Sequence, residues 1–276
     1  MTTSPEIGET IIAAGIPTNV HDTVRDPGGG TVLLIHGSGP GVSAWANWRL
    51  TIPALSSDFR VVAPDVVGFG FTERTVASYD LDTWTAHVVG VLDALGIARA
   101  HVVGNSFGGS LALALAIHHP DRVRRLGLMG AVGLDFPITP GLDAVWGYEP
   151  SVESMAELLR IFTATPAPGL HELAELRHQA SIRPGVHEAY AAMFPAPRQR
   201  WVEALAHPES EVASITAPTM IFHGREDRVI PLATSLRLFE LIPDAQVHLF
   251  GRCGHWTQVE HTEEFNRILR DFLLDA

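Results

Sequence analysis

Gly104-Asn105-Ser106-Phe107-Gly108 fits G-x-S-x-G, a spacing that can hold a serine hydroxyl clear of the backbone on a tight turn. Ala100 to Val103, before it, read as a short buried strand. Leu111 to Ile117, after it, form an Ala/Leu run that suits a buried helix. An acid and a histidine follow. Asp227 closes Phe222-His223-Gly224-Arg225-Glu226-Asp227, after the apolar run Pro218 to Phe222. His255 lies in Gly251-Arg252-Cys253-Gly254-His255-Trp256, after the strand-like run Gln246 to Phe250. These types suit nucleophilic attack on a carbonyl, with histidine taking the serine proton and aspartate orienting the histidine. Singly, the serine could cap a helix, the aspartate could be an N-cap and the histidine could pack. In this order and spacing they favour a triad.

The order Ser, Asp, His is that of the α/β-hydrolase fold, in which each member ends a strand. A second early signal agrees. Thr31 to Ile35 reads as a buried strand that runs into His36-Gly37-Ser38-Gly39-Pro40-Gly41. In that fold the oxyanion hole takes one amide from such a loop and one from the residue after the nucleophile, here Ser38 and Phe107. A phosphate-binding loop is excluded, because valine stands at position 42 where the dinucleotide pattern needs glycine, and no lysine follows. Cys253 is a rival nucleophile two residues before His255, but it reads as a small packing residue beside the better supported Ser106.

The elements that must position these residues alternate. Thr10 to Val24 reads as a hairpin turning near Gly15-Ile16-Pro17, and Asp26 to Gly30 as a loop. Arg60 to Ala63 and Val123 to Met129 read as strands, and Leu81 to Leu95 as a helix stopped by Gly96. From Leu134 to about His207 strand-like runs give way to helical stretches such as Glu153 to Phe162 and Leu170 to Gln179. The expected architecture is α/β: a mostly parallel central sheet flanked by helices, with an inserted helical lid. Residues 1–133 and 208–276 would form the core and 134–207 the lid.

Composition narrows the function classes. The chain has 276 residues, 46% of them hydrophobic, which allows one large α/β domain with an inserted lid or two modest domains. A formal net charge of −12, with no basic cluster beyond short pairs such as Arg124-Arg125, argues against nucleic acid. One cysteine permits no internal disulfide. No secretory signal is visible and no apolar run reaches the ~18 residues of a membrane span, so a soluble, cytoplasmic protein is expected. His171-Glu172-Leu173-Ala174-Glu175 lacks the second histidine of H-E-x-x-H, and His118-His119 sits at a helix end, so no metal site is expected.

With Ala44-Trp-Ala-Asn-Trp-Arg49, Arg177-His-Gln-Ala-Ser-Ile-Arg-Pro-Gly185 and Met193-Phe-Pro-Ala-Pro-Arg-Gln-Arg-Trp201, these motifs resemble the meta-cleavage product hydrolases over nearly the whole chain. That family breaks a carbon–carbon bond in aromatic catabolism. The resemblance implies Ser106 as nucleophile, His255 as general base and acid, and Asp227 as its orienting group. Asn47, Asn105, Arg183 and Trp256 would hold the dienoate end of an anionic substrate of the 2-hydroxy-6-oxohexa-2,4-dienoate type. The products would be 2-hydroxypenta-2,4-dienoate and a small acid. It further implies no cofactor and a homodimer or larger assembly. Val132, Val202 and Ile230, near the carboxyl ends of strands or the lid, are expected to narrow the acyl side of the pocket. A carboxylesterase with the same triad and a ligand-sensing receptor on this fold are the alternatives.

Overall fold

Short β-branched runs separated by helices build one sheet. The computed structural model describes residues 4–23, 27–74, 78–165 and 169–275. The first elements are β1 (Glu9–Ala13), β2 (Ile16–Asp22), β3 (Thr31–Ile35), α1 (Ala44–Trp48), α2 (Ile52–Leu55), β4 (Arg60–Pro64), α3 (Leu81–Ala94), β5 (Ala100–Asn105), α4 (Phe107–His118) and β6 (Val123–Met129). The chain then makes α5 (Pro140–Trp146), α6 (Val152–Phe162), α7 (Leu170–Ser181), α8 (Val186–Met193), α9 (Gln199–Ala204) and α10 (Glu209–Val212). It returns with β7 (Thr219–Gly224), α11 (Leu232–Leu241), β8 (Ala245–Phe250), α12 (Thr257–Glu260) and α13 (Thr262–Leu274). Val24 and Asp26, at the end of the expected hairpin and in the loop after it, lie outside the described residues.

The strand order is β1-β2-β4-β3-β5-β6-β7-β8. β1 and β2 are antiparallel to their neighbours, and β4, β3, β5, β6, β7 and β8 run parallel. β3, β5 and β7 are buried along their whole length, as strands covered on both faces must be. α4 is buried from Phe107 to Ala116 without a break, so its apolar residues need no polar face. α3 begins at Asp80, whose side chain accepts from the Thr83 amide, and gives way at Gly96, where φ is +65°.

Parallel strands aim their carboxyl ends one way, and the loops there carry the candidate residues: Gly37 and Ser38 after β3, Ser106 after β5, Asp227 after β7 and His255 after β8. Helices α5 to α9 enter after β6, and α5 and α6 touch those loops: Trp146 donates to Ser38, and the Phe162 carbonyl accepts from the His255 amide. The Gly133 carbonyl accepts from the His207 amide at 2.9 Å, so both ends of this insertion leave the sheet side by side.

Candidate active site

Ser106 takes φ 54° and ψ −115°, a conformation that costs about 1–3 kcal/mol and persists only when neighbours impose it. Here its amide donates to the Met129 carbonyl at 2.9 Å, and its own carbonyl accepts from Gly109 and Val132 at 2.9 and 3.0 Å. The flanking glycines are forced by proximity. A Cβ on Gly104 would lie 2.2 Å from the Gly108 carbonyl oxygen, and one on Gly108 would lie 2.5 Å from the Ile35 oxygen.

His255 Nδ1 lies 2.7 Å from Asp227 Oδ2, with both side chains almost fully buried. Asp227 Oδ1 accepts from the Val229 and Ile230 amides at 2.7 and 3.0 Å, which fixes the carboxylate plane. Burial pushes the Asp227 carboxyl up, but the His255 charge and hydrogen bond, then His223 and the Ile230 amide, outweigh it and hold the group below the usual carboxylate range. The loop that carries His255 is tied down as well. Glu260 accepts from the Gly254 amide with one oxygen and the Ala164 amide with the other. The Phe162 carbonyl accepts from the His255 and Trp256 amides at 2.8 and 3.2 Å, and the Phe162 ring stacks on Trp256 with centroids 4.7 Å apart. The Cys253 thiol is buried, and that burial, with Glu260, Asp227 and Glu226 nearby, pushes its pKa far up, so it is a poor nucleophile.

Ser106 and His255 line one cavity of about 90 Å³ together with Ser38, Asn47, Asn105 and Trp256. No acceptor among the described residues meets the Ser38 or Phe107 amide, whereas the Gly37 amide is already bonded to Asn47 Oδ1 at 2.8 Å. The Ser38 hydroxyl accepts from Trp146 Nε1 on α5 at 2.9 Å. Two polar atoms of the lining are buried without a partner among the described residues, Asn47 Nδ2 and Gln258 Oε1. Such groups cost free energy unless a ligand or water meets them.

Four expected contacts lie elsewhere. Arg183 does not line the cavity: its guanidinium stacks 3.8 Å from the Phe71 ring and donates to the Ala180 and Gly70 carbonyls. It comes after the end of α7, whereas Leu173 and Arg177, four apart on one helical face, both point into the cavity. Arg177 is the buried cation there, held by Glu6 Oε1 at 3.3 Å and by the Gly41 carbonyl. Val132, Val202 and Ile230 are wholly buried but do not line the cavity. Position along the chain did not set their direction; Val229, next to Ile230, faces the cavity instead.

Sequence reading also missed Gly130, Trp146, Phe162, Arg177, Gln258 and Glu260. Arg177 stood in a quoted lid segment, and its spacing from Leu173 was the available signal; the others carry no motif. His118, His207 and Glu211 bring one ligand atom each within 4.8 Å of one another, from the end of α4 and the stretch 207–211, but none lines this cavity.

The fold and this cavity define a serine hydrolase on a parallel sheet, and the comparisons agree. The alpha/beta hydrolase family model matches residues 32–268. The 2-hydroxymuconate semialdehyde hydrolase of Pseudomonas sp. (strain CF600) is 59% identical over 99% of this chain and 96% of its own length. The 2-hydroxy-6-oxo-2,4-heptadienoate hydrolase of Pseudomonas putida is 57% identical over 97% of this chain and 96% of its own. A solved meta-cleavage product hydrolase of Pseudomonas fluorescens, a serine-to-alanine variant complexed with acetates, superposes with a TM-score of 0.95 at 56% identity, covering 98% of each chain. The chain belongs to the alpha/beta hydrolase family and, within it, to the meta-cleavage product hydrolases.

Proposed function

We propose that this chain hydrolyses a carbon–carbon bond in 2-hydroxymuconate semialdehyde or its methyl ketone homologue, giving 2-hydroxypenta-2,4-dienoate and formate or acetate. The supporting relatives act, by name, on those two compounds and are nearly equally similar. The observation that carries the reading is the buried guanidinium of Arg177 in the cavity that holds Ser106 and His255. A carboxylate brought out of water there needs a charge-assisted donor, and a plain ester does not.

The chemistry follows from the lining. With the substrate carboxylate on Arg177, its 2-oxygen would accept from Asn47 Nδ2, which lines the same cavity and has no partner among the described residues. Moving the enol proton to C5 makes the chain a 2,6-diketone. His255 then takes the Ser106 proton, and the hydroxyl oxygen attacks C6. The tetrahedral oxyanion is met by the Ser38 and Phe107 amides, a contribution of about 3–4 kcal/mol per donor in comparable sites. Breaking C5–C6 sends the electron pair through the C3–C4 double bond onto the C2 carbonyl oxygen, so the leaving group is a dienolate rather than a localised carbanion. The dienolate takes that proton from His255 and leaves; water, deprotonated by the freed His255, then clears the acyl group from Ser106, which recovers its proton from His255. Asp227 holds His255 in the tautomer this requires.

Residues 134–207 act in this reading as a lid. The Trp146 bond to Ser38 and the Phe162 contacts with His255 and Trp256 support it, because they tie the inserted helices to the catalytic loops. Aliphatic side chains of α5 and α6, among them Leu142, Val145 and Leu159, line the same cavity, and in this reading the acyl group packs against them. No described helix is long and apolar enough to cross a membrane, which accords with a cytoplasmic enzyme; a homo-oligomer follows the family resemblance.

The test offers the semialdehyde, methyl ketone and phenyl ketone and follows loss of dienolate absorbance. Hydrogen and methyl substrates should lead in kcat/KM, and Ser106→Ala should lose several orders of magnitude in turnover while still binding substrate. A phenyl ketone processed as well as the semialdehyde would remove the small-acyl assignment. Simple aryl esters cleaved far better than any dienoate would make the protein a carboxylesterase.

A further inference from the structure

The opposite, amino-terminal end of the sheet carries a second cavity, of about 370 Å³. Arg99, Arg124, Arg125 and His101 line it with the paired glycines Gly28 and Gly29 and two leucines of α13. The chain carries a formal net charge of −12, yet no carboxylate among the described residues lines this space. Three cations therefore meet with no counter-charge among the described residues of the lining.

The backbone is built to bring them together. Ala100 pairs with Val123 and Val102 with Leu126, so His101 on β5 stands against two residues of β6, Arg124 and Arg125. Neighbours on a regular strand point to opposite faces, and an extra residue in the ladder re-aims one of them. Here both arginines reach the same cavity. Arg99 is held by two bonds from Nε and Nη2 to the Val123 carbonyl, at 3.2 and 3.1 Å. Arg125 lies over the Phe272 ring, 5.1 Å from its centroid. Neither Arg124 nor Arg125 has a carboxylate partner among the described residues. His101 is 6% exposed, and its Nδ1 is buried with no hydrogen-bond partner among them.

We propose that this cavity is a binding site for a small phosphate-class anion, either the free ion or the phosphoryl group of a metabolite. One carboxylate satisfies one guanidinium fork. Three guanidiniums call for a compact, multiply charged group with several acceptor oxygens, as a phosphate has. The site lies below Ser106 by the length of β5, about 20 Å, and the proposal stands whatever the catalytic cavity cleaves.

Calorimetric titration of the whole protein with pyrophosphate, inorganic phosphate and glycerol 3-phosphate tests it, at one ionic strength set with sodium chloride. Pyrophosphate should bind at one site per chain with Kd below about 1 mM. Arg124 is exposed, so Arg124→Glu should keep the ligand-free unfolding midpoint and the turnover of the dienoate while weakening pyrophosphate roughly tenfold or more. If that variant is less stable, Arg124→Gln replaces it with the same expectation. Glycerol 3-phosphate binding at least as tightly as inorganic phosphate marks a phosphorylated metabolite as ligand, and the reverse order marks the free ion. No saturable heat up to about 10 mM of any of the three, or wild-type affinity in the Arg124 variant, overturns the site.

Discussion

Arg177 and Arg183 share one stretch of chain and meet different surroundings. Arg177 is 12% exposed in its side chain, pairs with Glu6 and faces the cavity. Arg183 stacks on Phe71 and spends its donors on carbonyls. Arg177→Ala should therefore cost the anionic dienoate about 2–3 kcal/mol in kcat/KM and leave a neutral aryl ester nearly untouched. Arg183→Ala should change both substrates alike. Steady-state kinetics on the two substrate types decide it, and equal losses in the Arg177 variant would make that residue structural. The motif around Arg177 was readable in the sequence; which of its two arginines faces inward was not. That choice depends on where α7 stops relative to the cavity.

At the scale of elements, the passage from β6 into the inserted helices constrains the catalytic pair. Gly130 has φ +48°, and a Cβ there would sit 3.1 Å from His255 Cε1 and Nδ1 and 3.2 Å from Asp227 Oδ2. Gly130→Ala would force the imidazole aside by a few tenths of an ångström. Small misplacements of reacting groups are costly, so kcat should fall about tenfold or more. The left-handed backbone should add a stability loss of about 1–3 kcal/mol. Turnover at saturating substrate and a thermal melt separate the two effects, and wild-type kcat would show that the His255–Asp227 pair yields freely. Gly104 and Gly108 were legible because they belong to a repeating pattern around a nucleophile. Gly130 belongs to none, and its need for a bare backbone arises from loops that arrive more than ninety residues later in the chain.

For the whole molecule, Asp227 links catalysis to acid stability. Its folded pKa lies below the ordinary 3.8. Between the two values the unfolded chain holds more protons, so stability rises with pH there. The contribution is complete above the ordinary value and is lost as pH falls through the folded one. Asp227→Asn removes one partner of a buried pair, a change that costs about 3–5 kcal/mol. Urea unfolding of wild type and variant should show that gap near pH ~7 and a smaller one near pH ~3, where protonation begins to take the same contribution from the wild type. A gap that stays constant across this range would mean that the fold does not hold the carboxylate ionised. The same sheet sets the molecule's polarity: catalytic loops at its carboxyl ends, and three arginines without carboxylate partners among the described residues in one cavity at its amino ends.

By itself the sequence determined the local facts. Apolar runs of strand length, the glycines of the elbow and the order Ser106, Asp227, His255 establish the α/β sheet and the type of chemistry, because backbone sterics and burial act over a few neighbouring residues. Tertiary structure decided the rest. It selected Arg177 over Arg183 and turned Val132, Val202 and Ile230 away from the cavity. It set Phe162 against His255 and Trp256, and gathered Arg99 beside the Arg124-Arg125 pair. Each of these depends on the direction of a side chain relative to elements distant in sequence. Helix ends, a shifted strand register and the packing of inserted helices fix such directions, and all three exist only once the chain has closed on itself.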